Sequence, residues 1–111
     1  MQTHRLIFDG HNDLNLRVLL GQVTADGVAN GLPDGQSDKP RAVAGGFAGG
    51  FCAFVVPGDA EKSLRHEEMV KPAYDVPLPD PVGEAEALDW TERGFDGLEA
   101  LEAAGAITLC R

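Results

Sequence analysis

His11 and Asp13 are the side chains whose type and spacing best suit metal chemistry in this sequence. In an extended segment, residues two apart project to the same side, so this pair aims together while Asn12 faces away. Imidazole nitrogen and carboxylate oxygen both bind zinc at about 2.0–2.2 Å, and one ion can accept both. The pair follows the apolar run Leu6-Ile7-Phe8 and the Asp9-Gly10 step. That places it at the C-terminal end of a first strand, where barrel enzymes hold their chemistry. Taken alone, His-x-Asp is a common pattern with a second reading: Asp13 caps a helix starting near Leu14, and His11 sits at the surface.

The other chemistry-bearing residues carry less. His4 precedes the strand and His66 lies in a charged Arg-His-Glu-Glu run, so both are read as solvated surface residues. Cys52 and Cys110 lie far apart and match no C-x-x-C spacing; they are expected to be buried free thiols. Gly45-Gly46 and Gly49-Gly50 lack the Gly-Lys-Ser/Thr of a phosphate loop, and a turn or bulge before a strand explains them better. The prolines between Pro72 and Pro81 need only an extended connection, and the acids from Glu84 to Glu102 read as the wet face of a helix.

The elements that must position His11 and Asp13 can be read from pattern. Leu14 to Leu20 has helical spacing over one or two turns. Residues 21–45 carry Gly, Asp, Asn and Pro at close intervals and few large apolar side chains, which predicts a long loop. Phe51 to Val56 is continuously apolar, as expected for a parallel strand buried on both faces, and Pro57-Gly58 stops it. Asp59 is placed to cap a helix over about Ala60 to Val70. From Gly83 to Ala104, Leu88, Thr91, Phe95, Leu98 and Leu101 recur at helical spacing, with Gly94 and Gly97 as potential breaks and Gly105 as the C-terminal cap. Ala106 to Cys110 then reads as a third strand, expected to be cut off at Arg111. Apolar strands separated by crossovers predict a parallel α/β arrangement. An α/β barrel takes about 250 residues, so 111 residues hold two or three of its eight units.

Two stretches together resemble a known family. Phe8-Asp9-Gly10-His11-Asn12-Asp13-Leu14 resembles the opening strand of membrane dipeptidase (renal dipeptidase, peptidase family M19), with its D-G-H-x-D-L pattern. Gly45 to Pro57 resembles that family's Gly-rich turn feeding a strand that ends in Val-Pro. The match covers about residues 5–57, and residues 58–111 fit the following helical region and strand without a distinctive motif. Many members carry Pro where this chain has Asn15, a difference that bears on loop geometry rather than on metal ligation. The resemblance implies an α/β metallo-dependent hydrolase with a (β/α)8 TIM barrel, of which residues 1–111 would be the incomplete N-terminal portion of a single domain. It implies two Zn2+ ions bridged by a carboxylate, with His11 and Asp13 matching the first two ligands, both on one ion. The bridging glutamate and the further histidines come from later strands and have no counterpart here. It also implies dipeptide hydrolysis, with a homodimer open for the complete enzyme.

Composition narrows the alternatives. The formal net charge is −9, with thirteen acids against five bases over residues 57–111. Such a surface repels phosphate backbones, making nucleic acid and anionic membranes poor partners. No segment approaches the ~20 apolar residues of a membrane span, and the N-terminus lacks the apolar stretch of a signal peptide, so the expected compartment is cytoplasmic. The competing class is an acidic α/β binding module without catalysis, or an inactive truncated product.

Overall fold

A computed structural model describes residues 5–57, 66–77 and 79–111. The element order is β1 (Ile7–Asn12), α1 (Leu14–Leu19), α2 (Ala25–Asn30), α3 (Lys39–Ala44), β2 (Phe47–Cys52), α4 (His66–Met69) and α5 (Glu84–Ala103). Among these, β1 and β2 form a two-stranded parallel sheet, as the crossover pattern predicts. Ile7 lies opposite Phe47, Phe8 opposite Gly49, Asp9 opposite Gly50 and Asn12 opposite Cys52. Gly46 opens β2 at φ +78, a conformation that side chains rarely adopt, and its carbonyl accepts from the Ile7 N–H at 2.9 Å.

The strand does not fall where its apolar run predicts. β2 occupies the Gly-rich half, and residues 53–57 leave the ladder after a last bond from Ala53 N–H to the Asn12 carbonyl at 2.8 Å. The cause is the partner: β1 ends at Asn12 and turns into α1, so no strand remains among the described residues for Phe54 to pair with. Nor is the strand buried on both faces, since Phe51 is 66% exposed and Phe8 62%. The two rings meet edge to face, with centroids 5.2 Å apart.

Residues 21–45 are not a structureless loop but hold α2 and α3. Thr24 caps α2, its Oγ1 accepting from Gly27 N–H at 3.0 Å, with Asp26 in the first turn. Asp38 caps α3, its Oδ1 accepting from Arg41 N–H at 2.9 Å, with Pro40 in the first turn. The second Asp38 oxygen accepts from Leu32 N–H at 3.1 Å and pairs with the Arg41 guanidinium.

The buried core lies among the helices and the connections flanking α2 rather than under the sheet. Val23, Val28, Leu32 and Leu101 form it, with Leu14, Val18, Leu98 and Ile107 packed around them. α5 runs unbroken through Gly94 and Gly97, both of which are buried. A Cβ at Gly94 would stand 2.4 Å from the Phe54 ring, and one at Gly97 2.4 Å from Asn15 Oδ1, so tertiary contact overrides helix propensity at both. The inward stripe keeps Thr91, Leu98 and Leu101 but substitutes these glycines for Leu88 and Phe95, which are 56% and 58% exposed.

Gly105, at φ +74, ends α5 as predicted: its N–H bonds Glu102 O and the Ala106 N–H bonds Leu101 O, the paired pattern of a Schellman motif. Ala106 to Cys110 is not a strand. The Leu109 N–H is taken by Glu102 Oε1 at 2.9 Å, and Arg111 binds the other carboxylate oxygen, so the tail folds back on the helix end. Both cysteines are free thiols, but Cys52 is only half-buried and Cys110 is exposed. The helix expected over Ala60 to Val70 lies mostly outside the described residues, which contain its last part as α4. No helix among the described residues is long and apolar enough to cross a membrane.

Candidate metal centre

The end of β1 is built from two short side-chain-to-backbone turns. Asp9 Oδ1 accepts from the His11 N–H at 3.2 Å, and Asp9 Oδ2 accepts from the Asn12 side chain at 2.9 Å. Asn12 Oδ1 accepts in turn from Leu14 N–H at 3.2 Å, at the start of α1. Local bonding of this kind is what Asp and Asn offer at strand ends and helix starts. The Asn12 amide beside it, followed by the His11 N–H, holds the Asp9 carboxyl below its ordinary value. Cys52 faces the same turn from β2; burial pushes its thiol up, with a bond from the Asn12 side chain opposing the shift.

His11 and Asp13 stand side by side beyond this turn. His11 Nε2 lies 3.2 Å from Asp13 Oδ1, with the two side chains 69% and 53% exposed. Asp13 occupies the N-cap position of α1 without any side-chain capping bond. The capping alternative is therefore met in position but not in function: the carboxylate turns to the imidazole, while Asn12 serves the helix N-terminus. His4 and the His66 side chain lie outside what the structure describes.

The spacing of the donor pair can be set against the geometry of a tetrahedral metal ion. Two ligands at about 2.05 Å on a tetrahedral ion are about 3.3 Å from each other. The 3.2 Å separation of Nε2 and Oδ1 is close to that edge, and it is equally the contact distance of an imidazole–carboxylate pair without metal. Two donors make half of a site, and no group of three or more metal-ligating side chains occurs among the described residues. Asp9 and Asn12, which pattern reading treated as turn and outward residues, prove to hold the turn between His11 and Asp13. Their Asx chemistry was the available signal.

Comparison with known proteins agrees with the family resemblance read from the sequence. No protein-family model matches the chain, and no curated protein matches it. Among solved structures, one similar to it is the dipeptidase AC, a metallopeptidase of family M19: 33% identity and a TM-score of 0.76, over 92% of this chain. Another is a metallopeptidase from Rhodobacter sphaeroides liganded with a phosphinate mimic of the dipeptide L-Ala-D-Ala, with 33% identity and a TM-score of 0.78 over 90% of this chain. The chain spans 29% of the length of each. In sequence and backbone alike, then, the chain is similar to metallopeptidases of the M19 type over at least 90% of its own length.

Proposed function

We propose that the chain supplies the first ligand-bearing portion of a zinc-dependent dipeptidase with a (β/α)8 barrel, and that His11 and Asp13 are two ligands of one zinc. The observation that carries this reading is the 3.2 Å contact between His11 Nε2 and Asp13 Oδ1 at the C-terminal end of β1, in a chain 33% identical to M19 dipeptidases. Zinc, when bound, lowers the pKa of water and polarises a peptide carbonyl. His11 would give the Nε2 lone pair and Asp13 a carboxylate oxygen, and neither would move a proton. Asp9, through the His11 N–H and the Asn12 amide, holds the turn that presents both. On this reading the remaining ligands, the bridging carboxylate and the dipeptide pocket would come from parts of the M19 barrel that this chain, at 29% of each similar structure, does not span.

A stand-alone binding module is less well supported. Leu6, just before β1, and Phe8 and Phe51 on the sheet are 75%, 62% and 66% exposed, more apolar surface than an isolated soluble module shows.

The test is metal binding by the 111-residue chain, followed by NMR with Co2+ and by calorimetry with Zn2+. A half-site binds weakly. The expected result is Co2+ broadening centred on His11 and Asp13, lost in His11→Ala, with no dipeptide turnover by the chain alone. Broadening indifferent to His11 would overturn the assignment, and tight stoichiometric zinc with turnover would overturn the half-site.

A further inference from the structure

Asn15 lies two residues beyond Asp13, in the first turn of α1, and is fully buried. Its Nδ2 donates to the Gly94 carbonyl of α5 at 3.0 Å, across 79 residues of sequence. Its Oδ1 is buried and meets no donor among the described residues. A residue serving packing alone would do better without that oxygen, because an apolar side chain of similar volume leaves no polar atom desolvated. What the amide adds is direction.

The helix is cut back to receive it. A Cβ at Gly97 would stand 2.4 Å from Asn15 Oδ1, so the position is open only because Gly97 has no side chain. Within the same stretch of helix, Gly94 admits the ring of Phe54, which follows β2. The ends of both strands are therefore referenced to adjacent turns of α5. On the β1 side the linkage continues from Asp9 to Asn12, from Asn12 to the Leu14 N–H, and so to the turn that bears Asn15.

We infer that Asn15 is a positioning residue for the His11–Asp13 pair: by tying the first turn of α1 to the Gly94 carbonyl, it fixes the direction from which the Asp13 carboxylate meets the His11 ring. This rests on the metal reading above for its purpose, while the geometry it asserts is measurable without metal. It is a feature of this chain at a position where the resemblance leads one to expect Pro.

The discriminating variant is the pair Asn15→Ala with Gly97→Ala in the full 111-residue chain. The methyl added at position 97 occupies space that the amide vacates, so packing is largely restored while the bond to Gly94 is lost. We expect a thermal midpoint close to that of the unmodified chain and a clear loss of the nuclear Overhauser contact between the His11 ring and the Asp13 β-protons. The Co2+ concentration that half-broadens the His11 signal should rise about tenfold, the order seen when outer-shell support is removed. If the double variant keeps both that contact and the cobalt midpoint, Asn15 serves packing alone and the inference falls. Asn15→Ser, carried through the same measurements, guards against misfolding of the double variant; failure of both to fold would assign Asn15 to stability and likewise overturn it. Should the unmodified chain show no His11-dependent broadening, the metal reading fails, and the Overhauser contact still decides the role of Asn15.

Discussion

Asp13 and Asp38 both stand at helix N-caps, and their partners separate them. Asp38 is buried and accepts from Arg41 N–H and Leu32 N–H, with the Arg41 guanidinium beside it. Those bonds, the Arg41 N–H foremost, hold its carboxyl below the ordinary value of 3.8. Folding thus favours its charged form: the contribution is complete above pH 3.8 and is lost as pH falls through the lower folded value. The gap in thermal midpoint between the unmodified chain and Asp38→Asn should stay level from neutral pH to about pH 5 and narrow below pH 3.8 in acid melts. Asp13 takes no N–H and faces His11. Asp13→Asn and His11→Ala should each change stability by no more than about 0.5 kcal/mol, as exposed substitutions do, while removing the Co2+ response. A loss of several kcal/mol in urea unfolding would mark the pair as structural. At this scale the sequence was most legible where two donors share one short segment, although Asp13 lies past the end of β1 and the turn held by Asp9 and Asn12 completes their relation. Asp9 and Asn12 were harder to read, since a side chain that bonds its own turn leaves no periodic trace.

Elements were legible in proportion to how local their causes are. α1, α5 and the Gly105 terminus follow from spacing and from a residue free to adopt positive φ. α2 and α3 went unread because they contribute little apolar surface beyond Val28, although Thr24-Ala25-Asp26 and Asp38-Lys39-Pro40 carry ordinary start signals. Thr24→Ala should cost about 1 kcal/mol in chemical unfolding through loss of the cap. Strand limits were set at a distance: β2 is as long as β1 lets it be, and Ala106 to Cys110 lacks a strand to pair with among the described residues. The glycines of α5 show the same non-locality. Alanine is the better helix former by about 1 kcal/mol, yet Gly94→Ala and Gly97→Ala should each destabilise by about 1–3 kcal/mol through overpacking. A stabilised variant at either position would mean that the contacts with Phe54 and Asn15 are looser than 2.4 Å implies.

For the molecule, the division between a helical core and an open sheet is the main physical fact. The buried residues lie among α1, α2 and α5, while Leu6, Phe8 and Phe51 remain in water. That surface and two strand edges unpaired among the described residues should make the chain bind an apolar dye and self-associate with concentration. Phe51→Lys should reduce both, as seen by fluorescence and by sedimentation; a monodisperse chain indifferent to dye would contradict it. The parallel pairing and its order were visible in the sequence, whereas the exposure was not, since a continuous apolar run says that a strand wants cover without saying what provides it. The glycine notch has a translational consequence as well. Sliding α5 by one turn, about 5.4 Å, would bring a residue four positions away into each gap. Arg93 or Leu101 would then meet Asn15, and Trp90 or Leu98 would meet Phe54. None of these fits where a glycine is required, so the longest helix of the chain has a single axial setting, fixed by two side chains that are absent.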